Sequence, residues 1–200
     1  MVTTAILSAK LISLLRPKLI VMCGICAGVR QKVRLGDVLL ADPAWDFQSG
    51  KRVKDEGNSS FSMAPHQLSV PAIVRTCVQQ LQTDRTSLAT MSASFGTDMP
   101  GISQIIVGPV ASGSAVLADG EVIQEIKSQH RELIGVEMEV YGLYAAAEAA
   151  SSPKPKAFAL KAVCDFADPD KQDGVQRYAA FASANVLRLL LEKFGHRLLM

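Results

Sequence analysis

Apolar residues recur at helical spacing near the start of the chain. Ile6, Leu7, Leu11, Leu14 and Leu15 predict a helix over 4–15, with Thr3 or Thr4 able to cap its start and Pro17 to stop it. Leu19-Ile20-Val21-Met22 is a short apolar run bounded by proline and glycine, which predicts a buried strand over 19–22. A glycine loop, Gly24-Ile25-Cys26-Ala27-Gly28, follows, and the turn at Gly36 leads into a second strand over 37–41. Residues 43–66 carry glycines, serines and mixed charge without a period, so an irregular excursion is expected there, long enough to be functional or mobile. Helices are predicted over 67–82 with Pro71 in the first turn, over 119–129 with Val122, Ile123 and Ile126 on one side, over 138–150 and over 174–194. Strands are predicted over 104–111, 133–136 and 156–163, with a further one over 87–91.

The main elements therefore run helix, strand, strand, helix, strand, helix, strand, helix, strand, helix. Such alternation predicts an α/β layered fold with a largely parallel sheet. No repeat or linker interrupts the pattern, so one domain over 1–200 is expected. An α/β sheet usually begins with a strand, whereas this chain opens with a helix, which suggests that the start of the domain is missing.

Composition narrows the function classes. The chain has 200 residues, 48% apolar and 20% charged, enough apolar surface for a core. Its 21 basic and 19 acidic residues leave a net charge of +2, which gives no electrostatic footprint for nucleic acid or an anionic membrane. No apolar run is long enough for a transmembrane helix, and the first basic residue, Lys10, stands too late for a secretory signal. Four cysteines do not make a disulfide scaffold, so a reduced, cytoplasmic protein is expected.

Ligands of α/β sheets sit beyond the carboxyl ends of the strands. The segments there are Cys23-Gly24-Ile25-Cys26-Ala27-Gly28, Ser112-Gly113-Ser114-Ala115-Val116-Leu117, Glu137-Met138-Glu139 and Cys164-Asp165-Phe166-Ala167-Asp168. Small residues and acids collected at strand ends suit a pocket for a small polar ligand. Glu137 and Glu139 share a face if extended and diverge if helical, and acids there also suit a helix N-terminus. Asp165, at the end of an apolar strand, can serve as a general acid or simply cap a turn. Asp168, Asp170 and Asp173 read as loop-solvating and helix-capping acids. Cys23 and Cys26 form a C-x-x-C, but no helix follows it as a thioredoxin-like motif requires. His66, His130 and His196 have no ligand spacing and read as surface residues, so no metal is expected. Trp45 reads as core or pocket wall, and Tyr141 and Tyr144 as helix packing.

Taken together, these segments resemble the purine and uridine phosphorylase superfamily, and within it the methylthioadenosine/S-adenosylhomocysteine nucleosidase branch. The matching pieces are Gly24–Gly28 with Leu35-Gly36-Asp37-Val38, Ser112–Ala115, Val136-Glu137-Met138-Glu139 and Cys164–Asp168. Gln176-Arg177-Tyr178-Ala179-Ala180 is also similar to nucleosidase-type domains fused to signalling or defence modules, some of which act on adenine nucleotides. The resemblance implies a three-layer α/β/α sandwich around a mixed, mostly parallel sheet, and a homo-oligomer. It implies that Asp165 protonates the departing purine and Glu139 binds the ribose hydroxyls. It further implies that Met138 packs on the sugar, Lys161 orients Glu139, and Val116, Leu117 and Phe166 line the base site. Cys26, Ala27 and Glu137 complete the expected substrate contacts. No cofactor is implied.

Phosphorylases of this group carry an arginine and a serine for phosphate where this chain has Met22 and Ile25, which favours water as nucleophile. The resemblance also implies an N-terminal truncation. Relatives begin with a further strand, helix and hairpin that supply the glutamate activating water, and without it the chain would be poorly active. Three alternatives stay open: a phosphorylase with a different phosphate site, a non-catalytic nucleotide-sensing module, and a redox protein using Cys23 and Cys26.

Overall fold

The computed structural model describes residues 1–55, 58–64, 66–96, 100–114, 120–167 and 173–200. Helix α1 (Val2–Leu15) leads into β1 (Leu19–Gly28) and β2 (Val38–Asp46). A hairpin of β3 (Gly50–Asp55) and β4 (Asn58–Met63) follows, then α2 (Ala72–Thr83) and α3 (Arg85–Ala93). Next come β5 (Ile105–Ser112), α4 (Gly120–Gln129), β6 (Gly135–Glu137), α5 (Val140–Glu148), β7 (Lys156–Asp165) and the long α6 (Gln176–Leu199).

The expected α/β architecture is present, with helices flanking a central mixed sheet. Three strand pairings are parallel (β1 with β7, β2 with β5, β5 with β6) and two antiparallel (β1 with β6, β2 with β7). The sheet closes on itself in the order β1-β6-β5-β2-β7. Residues 38–42 of β2 and 157–164 of β7 are buried without alternation, as strands covered on both faces must be. Each valine, leucine or phenylalanine among them contributes about 1.5–3 kcal/mol on burial. Tyr144 of α5 donates to the Ala41 carbonyl at 2.8 Å and accepts from the Ala159 N–H at 3.0 Å, which pins the helix across β2 and β7.

Several elements differ from the sequence reading. The glycine "loop" is strand: β1 runs through Gly28, paired with β7 up to Ala27. Gly24 accommodates the Lys161 side chain, whose Nζ would lie 3.2 Å from any Cβ there. The strand expected at 87–91 is helix α3. Asp84 caps it, accepting from the Ser87 N–H and hydroxyl, and Leu88, Met91 and Ser92 are buried at helical spacing. The excursion expected at 43–66 instead extends β2 to Asp46 and forms the β3–β4 hairpin. The apolar set of α1 faces outward. Ile6, Leu7, Leu14 and Leu15 are 53–79% exposed, while Ser8 and Ile12 are the residues buried.

Candidate active site

Strand β1 meets β6 only at Ala27–Val136 and Gly28–Gly135. Below that point, residues 19–26 pair with β7 alone among the described residues, while β6 continues beside β5 with Ser112 opposite Glu137. The two strands part where the sheet changes from antiparallel to parallel pairing, and a cavity of about 540 Å³ opens between them. Its lining includes Met22 to Ala27 from β1, Val136 to Glu139, Lys161, Cys164 and Asp165 from β7, and Ala167 and Gln176 beyond it.

Glu137, Lys161 and Glu139 form the polar wall. Glu137 is the last residue of β6, and its side chain is 1% exposed. Its carboxylate accepts from the Ser112 hydroxyl, from the Glu139 N–H at 2.9 Å and from the Val140 N–H at 3.0 and 3.1 Å. These are the first N–H groups of α5, which have no partner within the helix. Lys161, 4% exposed, stands 3.1 Å from Glu137 Oε2 and 2.6 Å from Glu139 Oε2. Glu139 is 41% exposed and turns its carboxylate toward the cavity. Partial burial pushes the Glu139 carboxyl up, but the hydrogen bond and charge of Lys161 outweigh it and hold it below its ordinary value. Burial pulls the Lys161 ammonium down, and the two glutamates outweigh that and raise it, so the cation persists.

Asp165 ends β7. Its Oδ1 accepts the Ala167 N–H at 2.9 Å, and Cys164 Sγ lies 3.5 Å from Oδ2. Ala167 adopts a positive φ of 53°, so the chain turns sharply here. The carboxylate thus holds a turn, the alternative that the sequence left open, and it also lines the cavity.

The structure thus brings together Cys26, Ala27, Glu137, Met138, Glu139, Lys161 and Asp165 from the residues picked out in the sequence. Phe166 is not among the lining residues, and its ring lies under the Arg30 guanidinium at 4.5 Å. Val116 and Leu117, like Asp168 and Asp170, lie outside the described residues. Sequence reasoning did not single out Cys23, Gly24 or Gln176 as lining. Ser112 was seen only as part of a small-residue segment, and its tie to Glu137 depends on β5 and β6 ending side by side. Trp45 is fully buried, as expected; His130 is half-buried and stacks on it.

The C-x-x-C fails as a dithiol on geometry. Residues three apart in a strand point to opposite faces, with Cα atoms about 10 Å apart, beyond disulfide reach. Cys23 Sγ donates to the Ser183 carbonyl of α6, and burial pushes its thiol up to about 11. Burial also pushes the Cys26 thiol well up. Wild-type turnover is therefore expected to be the same with and without a thiol reductant; a rate that depends on the reductant would restore the redox reading. Among the described residues no cluster of three or more His, Cys, Asp or Glu could hold a metal, and no helix is long and apolar enough to cross a membrane.

Comparison with known proteins places the architecture. A family profile described as the phosphorylase superfamily matches residues 1–192. The chain is 33% identical over 198 residues to "Uncharacterized protein y4jS" of Sinorhizobium fredii, covering 98% of this chain and 48% of that one. It is 29% identical over 201 residues to the ATP nucleosidase Cap17 of Escherichia coli, covering 92% of this chain and 37% of the other. The chain thus spans between about a third and a half of these relatives' length. Among solved structures, the 5′-methylthioadenosine/S-adenosylhomocysteine nucleosidase of Helicobacter pylori superposes with a TM-score of 0.73 at 13% identity, covering 95% and 75% of the two chains. That of Neisseria meningitidis gives 0.71 at 17% identity, covering 96% and 77%. At these identities the structural likeness establishes the fold.

Proposed function

The chain belongs to the phosphorylase superfamily, and from that premise we propose that it cleaves the N-glycosidic bond of a purine nucleoside or nucleotide, with water as the nucleophile. The observation that carries this reading is that Asp165 and the Lys161-held Glu139 line one cavity. The curated relatives with a named activity are ATP nucleosidases, which brings adenine nucleotides forward as substrates.

In this mechanism the purine lies against Asp165 and the ribose against Met138 and Glu139. Asp165 donates a proton to the purine at N7 as the glycosidic bond breaks, so the base leaves neutral. The electron pair of the bond departs with the base, and positive charge develops at the sugar carbon as an oxocarbenium-like centre; water then bonds to that carbon and gives up a proton to solvent, leaving the free sugar. Glu139 accepts hydrogen bonds from the ribose hydroxyls and adds negative charge beside that centre. Lys161 fixes Glu139 in its ionised, oriented form. The Glu137 carboxylate is occupied by protein donors and supports Lys161 and Glu139 instead of touching substrate.

Water is favoured over phosphate because the wall that would hold phosphate carries Met22 and Ile25. Lys161, the cation among the described lining residues, is already shared between two carboxylates. Apolar side chains offer no charge-assisted hydrogen bonds to an oxyanion. The test is the sugar product of the intact protein with inorganic phosphate present. Free sugar supports the hydrolytic reading, and a sugar 1-phosphate would replace it with a phosphorylase.

A further inference from the structure

We propose that Ser112 is a positioning residue for the sugar-binding carboxylate, acting through Glu137 and Lys161; this rests on the reading of Glu139 as the ribose ligand. Ser112 is fully buried at the end of β5, with Asp46 of β2 opposite on one side and Glu137 of β6 on the other. Its hydroxyl does two things at once. It donates to Glu137 Oε1, and it accepts the Tyr141 N–H of α5 at 2.9 Å. Together with the Glu137 carboxylate it supplies acceptors for the N–H groups of Glu139, Val140 and Tyr141, which the first turn of α5 leaves without helical partners.

The consequence reaches Glu139 through Lys161. One buried ammonium is shared between two carboxylates, at 3.1 Å from Glu137 and 2.6 Å from Glu139. The share each receives depends on how far the other carboxylate is already satisfied. The Ser112 hydroxyl satisfies Glu137 Oε1 and leaves Lys161 close to Glu139. Without that hydroxyl, Glu137 has one fewer donor in a site that water does not reach, and the nearest charge that can compensate is Lys161. The ammonium is then drawn from Glu139, and the Tyr141 N–H at the start of α5 loses its acceptor. Glu139 is the half-exposed member of the set, so it is the one left free to reorient. The neighbouring residue keeps Ser112 in place: the Gly113 N–H donates to the Glu137 carbonyl at 2.9 Å, and the Phe47 ring fills the space a Cβ would need, 2.0 Å away.

Only a group that donates to a carboxylate while accepting an amide can fill this position. Threonine retains that capacity, cysteine has it weakly and alanine lacks it. The readout is the preference for adenosine over 2′-deoxyadenosine, taken as a ratio of kcat/KM values, or of dissociation constants if adenine is not released. The variants are Ser112→Ala, Ser112→Thr, Glu139→Gln and the double Ser112→Ala/Glu139→Gln, each checked for folding by its melting temperature. Ser112→Ala is expected to lower the ratio on the order of tenfold, and Ser112→Thr to restore most of it. In the Glu139→Gln background, Ser112→Ala is expected to add little, because both act on one contact. An unchanged ratio in Ser112→Ala, or an equal loss in both backgrounds, would overturn the proposal. A ratio that Glu139→Gln itself leaves unchanged would instead overturn the assignment of Glu139 to the ribose. Should Ser112→Ala not fold, Ser112→Cys takes its place with a smaller expected loss.

Discussion

Asp165→Asn is expected to lower purine release by about 100- to 10,000-fold, the range for losing a general acid. The substitution is isosteric, and an asparagine oxygen can still accept the Ala167 N–H that the Oδ1 accepts at 2.9 Å. The turn with its positive φ at Ala167 should therefore survive, and the melting temperature should stay near that of the wild type. What is lost is the capacity to hand over a proton as the bond to the base breaks. A substrate analogue whose leaving group needs no proton, such as a nitrophenyl riboside, provides a discriminating control. It should react at similar rates with wild type and variant. Equal impairment on both substrates would mean that Asp165 acts by shaping the cavity.

Lys161→Met is expected to produce the largest loss of stability, about 3–5 kcal/mol, the range for removing one partner of a buried ion pair. Glu137 is 1% exposed, and without Lys161 its charge is left with neutral donors only. Chemical denaturation reads this directly, and Lys161→Arg, which keeps the charge, should lose much less. The same substitution has a pH signature. Lys161 holds the Glu139 carboxyl below its ordinary value. The stabilising contribution of such a group is complete above its unfolded value and is lost as pH falls through its lower, folded value. Nucleoside binding should accordingly persist on the acid side of the ordinary carboxylate range in the wild type. In Lys161→Met the acid limb should move to higher pH. A limb that stays in place would show that another group governs ribose binding.

Much of this site was legible in the sequence because its chemistry sits at strand ends. An apolar run that stops at Glu137, and another that stops at Asp165, place acids where an α/β sheet binds ligands. The small residues between Gly24 and Gly28 told of close approach, but they suggested a loop. The strand continues because Lys161 and the rest of β7 pair along it, a long-range fact that local composition does not carry. Helix α3 went unseen because its cap, Asp84 with Ser87, outweighs a short run that also suits a strand. Helix α1 shows the limit of periodicity. Its apolar stripe was plain, yet Ser8 and Ile12 are the residues turned inward, since packing on α5 selects the face. The link from Ser112 through Glu137 to Lys161 joins β5, β6 and β7, and no spacing in the chain announces it.

The central claim is that this cavity breaks a purine glycosidic bond without phosphate. The most direct test is free-base release, followed by chromatography in phosphate-free buffer, from adenosine, inosine, methylthioadenosine, AMP and ATP, for the intact wild-type protein beside Asp165→Asn. The predicted result is free base from at least one of these substrates, undiminished by the absence of phosphate and nearly absent in the variant. Binding of a nucleotide with no base released from any of them would contradict it and make the cavity a sensing site.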